Sequence, residues 1–144
     1  MLLDRTAGSE LAYEDIAQTI CDRHLGVGAD GLLVLERAKS PGADVALRIF
    51  NADGSAADMC GNGIRCVARY MHERTPSAPR RLRIETPSGD VRTEMVSDSP
   101  FSVRVDMGEP GEIKTCGRMR AANIVGDRVD VSMGNPHCVI FVEV

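Results

Sequence analysis

The sequence predicts an α+β fold, in which strands and helices form separate groups around a shared core. Two segments carry apolar residues at the spacing of a helix, while several others alternate in the manner of strands. The hydrophobic fraction is 43%, which is enough for a core. The aromatic fraction is only 3%, without Trp, so we expect aliphatic side chains to fill that core.

The first helix is predicted over residues 11–24, because Leu11, Ile16 and Ile20 are apolar among polar neighbours. It leads into residues 26–31 (GVGADG), where three glycines interrupt any regular element and predict a loop.

Two strands follow this loop. Residues 32–36 form a short apolar run, which predicts a buried strand, and residues 40–42 predict a turn. Residues 45–51 alternate and predict a second strand. One face of it carries Val45, Leu47 and Ile49, and the other carries Ala46, Arg48 and Phe50.

Helical spacing returns after residue 63. Its apolar face comprises Ile64, Val67, Ala68 and Met71, and residues 75–79 are expected to end the helix. A hairpin is then predicted from two short strands, residues 82–86 and 91–95, joined by a Pro-Ser-Gly-Asp turn.

The pattern starts again near residue 101. Further strands are predicted at residues 103–105, 128–133 and 137–144, with turns at 107–110 and 134–136. We place a boundary near Asp98-Ser99-Pro100, which gives domains 1–99 and 100–144. Because the last strand is strongly apolar up to the final residues, we expect the chain to be part of a longer protein.

Composition argues against several classes of protein. The net charge of −4 and pI near 5.4 disfavour nucleic-acid binding, which needs clustered Lys and Arg. We find neither an apolar run long enough to cross a membrane nor a signal peptide, and expect a cytoplasmic location.

The five cysteines do not suggest a disulfide framework or a metal site, because their number is odd and no CxxC pair exists. For four of them we expect the ordinary role of a small buried apolar residue. These are Cys21, Cys66, Cys116 and Cys138.

Cys60 differs from the other cysteines because it lies where a glycine-rich loop becomes a helix. The unpaired N–H groups of a helical first turn favour a thiolate and can also hold a carboxylate. Gly61 and Gly63 lack side chains, so a ligand could approach the backbone closely. A proton-transfer group beside an anion site is what removal of an α-proton from an amino acid requires.

Spacing alone leaves other interpretations open. The segment could be a glycine-rich turn in which a buried Cys caps a helix. A cysteine hydrolase would need a nearby histidine, and His24, His72 and His137 are available. A nucleotide-binding P-loop is disfavoured, because the sequence lacks GxxxxGK[ST].

Residues 50–55 (FNADGS) and 59–66 (MCGNGIRC) resemble the signature of the diaminopimelate epimerases. Three other segments resemble motifs of the same family: residues 26–31, 105–108 (VDMG) and 132–139 (SMGNPHCV). The resemblance implies two similar lobes, each a mixed or antiparallel sheet wrapped around a central helix, with the substrate between them. The chain would hold lobe one and the beginning of lobe two.

The resemblance also implies a cofactor-independent reaction, without pyridoxal phosphate or metal, that interconverts LL- and meso-diaminopimelate for lysine biosynthesis. Two cysteines exchange the α-proton from opposite faces, and Cys60 would be one of them. Gly61 and Asn62 would donate to the substrate carboxylate, while Asn51 and Asn135 would hydrogen-bond the substrate. His137 would support the chemistry. The only partner implied is the small-molecule substrate, and a homodimer is allowed.

Three departures from the family pattern matter. The first strand and its GNDF motif are missing, apart from a segment at residues 1–4 that resembles the end of that strand. Gly31 stands where well-known members often have a substrate-contacting Gln, so that role is not carried over. The second catalytic cysteine is absent, since neither Cys116 nor Cys138 lies in a matching motif.

Two further hypotheses stand beside this one. The chain could serve a racemase or epimerase of another amino acid, with the same role for Cys60. It could also be a non-catalytic remnant that binds an amino-acid carboxylate without turnover.

Overall fold

The computed structural model describes residues 1–8, 11–75, 77–121 and 124–142, and it confirms the predicted α+β class. The chain forms two compact units, Met1–Met107 and Gly108–Val144. None of the helices in the described residues combines the length and apolar character needed to cross a membrane.

The first unit is built on one mixed sheet with strand order β1-β2-β3-β5-β6-β7, and β4 pairs with β3. Pairs β1–β2 and β3–β5 are parallel, and the remaining pairs are antiparallel. The strands are β1 (Leu2–Asp4), β2 (Gly31–Glu36), β3 (Val45–Asn51), β4 (Ala56–Ala57), β5 (Arg81–Thr86), β6 (Gly89–Asp98) and β7 (Phe101–Asp106). The helices are α1 (Tyr13–Cys21) and α2 (Gly61–Arg74).

Helix α2 packs on one face of this sheet, with the face that its sequence predicts. Ile64, Val67 and Ala68 are buried, and Met71 packs at the edge of the same core. The facing strand residues are Leu35, Val45, Leu47, Ile49, Leu82, Ile84 and Val91, which confirms the predicted alternation in β3. The predicted end at residues 75–79 is confirmed at Thr75, the C-cap, whereas residue 76 lies outside the described residues.

Helix α1 packs on the opposite face of β2 and β3, but through a different side than predicted. Its buried residues are Tyr13, Ala17 and Cys21, which recur every four residues and meet Leu32, Val34 and Phe50. The expectation for Leu11 is wrong, since it is 42% exposed and precedes the helix. Ile16 and Ile20 are only half-buried at the edge of this core.

The predicted hairpin forms between β5 and β6, and β7 extends it. The division between the compact units falls after Met107, whereas the sequence analysis placed a boundary near Asp98-Ser99-Pro100. The physical reason for the position of this division is that β7 pairs with β6 over its whole length, from Phe101 to Asp106, so those residues belong with the first sheet.

The second unit is a three-stranded antiparallel sheet with order β10-β9-β8. Its strands are β8 (Ile113–Ala121), β9 (Ile124–Ser132) and β10 (Pro136–Phe141). The sequence predicted β9 and β10 but not β8, whose ladder is broken by a bulge at Cys116. Residues 143–144 of the predicted last strand lie outside the described residues.

Candidate functional site

Cys60 is the N-cap residue of α2, at the point where an extended segment turns into the helix. Its backbone is extended, with φ −148° and ψ 98°, and its carbonyl oxygen accepts the N–H of Ile64 at 2.9 Å. The backbone N–H of Gly63 donates to Cys60 Sγ at 3.3 Å. The sulfur thus occupies the place of a capping oxygen, where the positive end of the helix dipole stabilises negative charge.

The next two residues of α2 leave hydrogen-bond donors for a ligand. In the described part of the chain, the backbone N–H groups of Gly61 and Asn62 have no acceptor. Free N–H groups at a helix start form a site for a carboxylate or another anion. The Asn62 side chain is exposed, and its Oδ1 accepts a hydrogen bond from Arg65.

Glycine at position 63 lets the first turn of α2 lie against the Leu33 side chain, which would have to move to admit a Cβ. A Cβ there would lie 2.7 Å from Leu33 Cδ2 and 3.4 Å from Cys60 Sγ. Met59, immediately before the cysteine, is buried in the α2 core, and Cys60 itself is half-buried beside it. The thiol is therefore held between a buried anchor and the first turn of the helix.

Asn51 ends β3 and begins an exposed loop that turns back at Ser55. Its Nδ2 donates to Ser55 Oγ at 2.9 Å, and its backbone N–H donates to the Ser55 carbonyl at 2.8 Å. Asp53 Oδ1 accepts the Ser55 hydroxyl at 2.6 Å and the Ser55 N–H at 2.9 Å. These two hydrogen bonds lower the pKa of the Asp53 carboxyl below its usual value.

Gly31 lies directly opposite Asn51 in the β2–β3 ladder. A Cβ at this position would lie 2.6 Å from the Phe50 carbonyl oxygen, which is a backbone atom and cannot easily move aside. Glycine is therefore required by the close approach of the two strands, and no substrate contact from a side chain is available there.

Asn135 and His137 lie in the second unit, in the turn before β10 and at its second residue. His137 Nε2 is 2.9 Å from Asn135 Oδ1, and both side chains are exposed. The Met133 N–H donates to the Asn135 carbonyl at 3.0 Å. Asn135 therefore lies in the turn that the sequence predicted at residues 134–136. These two residues are thus brought together, and Cys60, Gly61 and Asn62 form a separate group in the first unit.

The other cysteines do not share one environment. Cys21 is 2% exposed in the α1 core, which confirms the expected buried role. For Cys66, Cys116 and Cys138 that expectation is wrong, because all three are exposed. Cys66 lies on the solvent side of α2, and the other two flank Asp130 in the second sheet, where Cys116 Sγ donates to Asp130 Oδ2 at 3.3 Å.

Sequence reasoning overlooked the residues that hold the Asn51 loop. Gln18 of α1 donates to the Asp53 carbonyl at 2.7 Å, and Gly54 packs against the same helix. The glycine-rich character of the segment before Cys60 indicated a loop, but no local pattern indicated that Asp53 contacts a helix residue 35 positions earlier. Among the described residues, no group of three or more His, Cys, Asp or Glu side chains is placed to hold a metal ion.

Comparison with known proteins gives concordant sequence matches. The family model described as diaminopimelate epimerase matches residues 1–113. The diaminopimelate epimerase of Pelotomaculum thermopropionicum is 46% identical, over 91% of this chain and 51% of that protein. The corresponding protein of a Cyanothece species is 41% identical, over 99% of this chain and 56% of its own length. The chain thus spans about half the length of these curated relatives.

Solved structures share the fold at low identity. A Bacillus anthracis phenazine biosynthesis protein of the PhzF family matches with a TM-score of 0.72 at 20% identity, over 99% of this chain and 49% of that protein. A hydroxyproline epimerase from Agrobacterium vitis matches with a TM-score of 0.66 at 17% identity, over 85% of this chain and 38% of its own.

Proposed function

Because the chain belongs to the diaminopimelate epimerase family, we propose that it supplies one half of an active site that interconverts LL- and meso-diaminopimelate, with Cys60 as one of two acid/base groups. The observation that supports this most directly is the start of α2. There a cysteine sulfur accepts a backbone N–H while the following two N–H groups have no acceptor in the described chain.

The proposed reaction begins with a proton transfer to sulfur. The Cys60 thiolate takes the α-proton, so the S–H bond forms as the C–H bond breaks, and the electron pair passes into the substrate carboxylate. Hydrogen bonds from the Gly61 and Asn62 N–H groups stabilise the charge that develops there. A second acid then delivers a proton to the opposite face of the α-carbon.

The remaining assignments follow from the family. Asn51 and Asn135 would hydrogen-bond the substrate, and His137 would support the chemistry in the second unit. The reaction would use neither pyridoxal phosphate nor a metal, and it would serve lysine biosynthesis in the cytoplasm, with the option of a homodimer. The net charge of −4 is consistent with a small-molecule substrate and disfavours nucleic acid as a partner.

Two alternatives lead to different outcomes when binding and turnover are both measured. A related racemase would turn over proline or another amino acid, and a non-catalytic remnant would hold an amino-acid carboxylate without turnover. The curated relatives, at 41–46% identity, favour diaminopimelate.

Ligand binding to the 15N-labelled chain tests the proposal. We expect meso-diaminopimelate to shift the backbone amide signals of Gly61 and Asn62 more than proline does. Cadaverine keeps the two amines of diaminopimelate and the carbons between them but has no carboxylates, so it should leave these two signals in place. A stronger response to proline, or no response to diaminopimelate, would contradict the proposed substrate.

Activity gives a second test. The 144-residue chain by itself should not invert the α-carbon, because it carries one of the two motif cysteines. Deuterium exchange at the α-carbon in heavy water, with the stereochemistry followed, measures this. Any one-sided exchange should be lost in Cys60→Ala and kept in Cys66→Ala, a matched control on the same helix. Efficient inversion by the chain alone would overturn the assignment of a separate second acid.

A further inference from the structure

The loop after β3 contains a directed chain of hydrogen bonds that begins at Asn51 and ends at Asp53. Asn51 Nδ2 donates to Ser55 Oγ at 2.9 Å, and Ser55 Oγ lies 2.6 Å from Asp53 Oδ1. The Ser55 N–H points at the same carboxylate oxygen, at 2.9 Å. Three side chains are thus linked in series within five residues of the sequence.

The direction of this chain follows from the chemistry of its last member. An ionised carboxylate only accepts hydrogen bonds, and the pKa of Asp53 is lowered by its hydrogen bonds from Ser55, so the group is ionised at neutral pH. The single proton of the Ser55 hydroxyl must therefore point to Asp53. The Ser55 oxygen can then only accept a hydrogen bond from Asn51. This hydrogen bond holds the Asn51 NH2 group toward Ser55 and the Asn51 Oδ1 away from it.

The loop is fixed in place by α1. Gln18 Nε2 donates to the Asp53 carbonyl at 2.7 Å, and the Gly54 N–H donates to the Asn51 carbonyl at 3.0 Å. Gly54 has φ +85°, and a Cβ there would lie 2.9 Å from the Glu14 carbonyl oxygen. Only glycine satisfies both the backbone conformation and this close approach. The loop is therefore fixed in one position against α1.

We propose that Asp53 and Ser55 are positioning residues that fix the Asn51 amide with its oxygen outward, so that Asn51 accepts a hydrogen bond from a ligand ammonium group. This inference rests on the proposed function for the assignment of Asn51 as a substrate contact. An ammonium group carries only donors, so it matches the Asn51 Oδ1 that points away from Ser55. A carboxylate facing that oxygen would be repelled, and it could reach only the second N–H of the Asn51 amide. The loop thereby selects amino groups.

The orientation of the amide can be measured without any ligand. In 15N-labelled protein we expect nuclear Overhauser contacts between the Asn51 Nδ2 protons and the Ser55 β-protons. The corresponding contacts should weaken in Ser55→Ala, where the methyl group of the new side chain is observed instead, and in Asp53→Ala, because each variant frees the amide to rotate. They should persist in Ser55→Thr and Asp53→Asn, which keep a hydroxyl and an acceptor oxygen respectively.

A matched control is Asp58→Ala, which removes another exposed carboxylate of the same segment and should change nothing. Absence of the contacts in the unmodified chain would overturn the proposal, and so would their full persistence in both alanine variants. The unmodified chain and Ser55→Thr keep the experiment decisive even where an alanine variant fails to fold.

Two probes then test the preference for ammonium. We expect the Kd of meso-diaminopimelate to rise about tenfold in Ser55→Ala, on the order of one hydrogen bond to a charged group. The Kd of pimelate, which has the same chain and carboxylates but no amines, should not change. Equal losses for both probes would overturn the proposed selectivity. If the unmodified chain binds no diaminopimelate, the proposed function fails, and the amide contacts alone decide the role of Asp53 and Ser55.

Discussion

At the scale of single residues, the cysteines differ in the direction of their hydrogen bonds. Cys60 receives a hydrogen bond from the Gly63 N–H, whereas Cys116 donates its own hydrogen bond to Asp130. A sulfur that accepts a hydrogen bond gains stability as an anion, and one beside a carboxylate does not. For reaction with an electrophile, solvent exposure favours Cys116, which is exposed. The hydrogen bond at the helix start favours Cys60, which is half-buried.

We predict that Cys60 reacts faster with limiting iodoacetamide than Cys21, Cys116 or Cys138 in the folded protein. The physical reason is its place at the positive end of a helix. Peptide mapping after short exposure to the reagent gives the order. Cys21, at 2% exposure, should be modified only after unfolding and serves as an internal control. Equal or faster labelling of Cys116 or Cys138 would show that exposure outweighs the helix start.

At the scale of elements, β1 is tied to the C-terminal half of α2 by polar contacts. Asp4 Oδ2 accepts the Tyr70 hydroxyl at 2.8 Å, and Arg74 Nε lies 3.6 Å from the same oxygen. Asp4 Oδ1 accepts the Thr6 N–H at 3.0 Å. The Thr6 N–H is the largest cause that lowers the pKa of Asp4, followed by the Thr6 and Tyr70 hydroxyls and the charge of Arg74.

This network predicts a pH-dependent contribution to stability. A carboxyl whose pKa is lowered on folding stabilises the folded state above its unfolded pKa, and the contribution is lost as the pH falls through the folded value. We expect Asp4→Asn to lower the free energy of unfolding by about 1 kcal/mol at neutral pH, because the ionised acceptor is lost. The difference from the unmodified protein should shrink below about pH 4.

Urea unfolding of both proteins across this pH range provides the measurement. The matched control is Asp15→Asn, an exposed carboxylate whose side chain has no partner among the described residues. A difference between Asp4→Asn and the unmodified protein that stays constant from neutral pH to about pH 2 would show that Asp4 does not contribute through its charge.

For the molecule as a whole, the second unit exposes apolar surface on an edge strand. Phe141 is 63% exposed and Val139 is 39% exposed, and both belong to β10. In the described residues β10 pairs only with β9, so its other edge offers unpaired backbone groups. An apolar edge strand is a template for pairing with another chain.

We therefore predict that the chain self-associates with rising concentration, and that Phe141→Lys shifts it toward the monomer. Size-exclusion chromatography with light scattering measures the molar mass of the unmodified chain, of Phe141→Lys and of a chain that ends at Ser132. The shortened chain lacks β10 and should associate less. The matched control is Leu25→Lys in the first unit, where the side chain is 92% exposed but lies in a loop. A clean monomer at every concentration, or equal effects of the two lysine variants, would refute the role of β10.

The features that sequence predicted well depend on contacts between near neighbours. The alternation of Val45, Leu47 and Ile49 follows from the pleat of a strand, and the Cys60 cap from a bond that spans three residues. Both features depend only on residues that are close in sequence. The family signature around Cys60 was readable for the same reason, since it lies in one continuous segment.

Other features depended on partners far along the chain. The helix α1 turns Tyr13, Ala17 and Cys21 to the core, rather than Leu11, because the face that meets β2 and β3 decides which side is buried. The place of β7 in the first sheet was decided by its pairing with β6.

The sequence by itself therefore determined the α+β class, the helix that starts at Cys60 and the family. Only the tertiary structure decided how the Asn51 loop is positioned against α1, because Gln18 donates to the Asp53 carbonyl from 35 residues earlier in the sequence. Local periodicity fixes which residues share a face, through backbone geometry alone. Which faces and loops then meet is set by the burial of apolar surface and by long-range hydrogen bonds, which no local pattern contains.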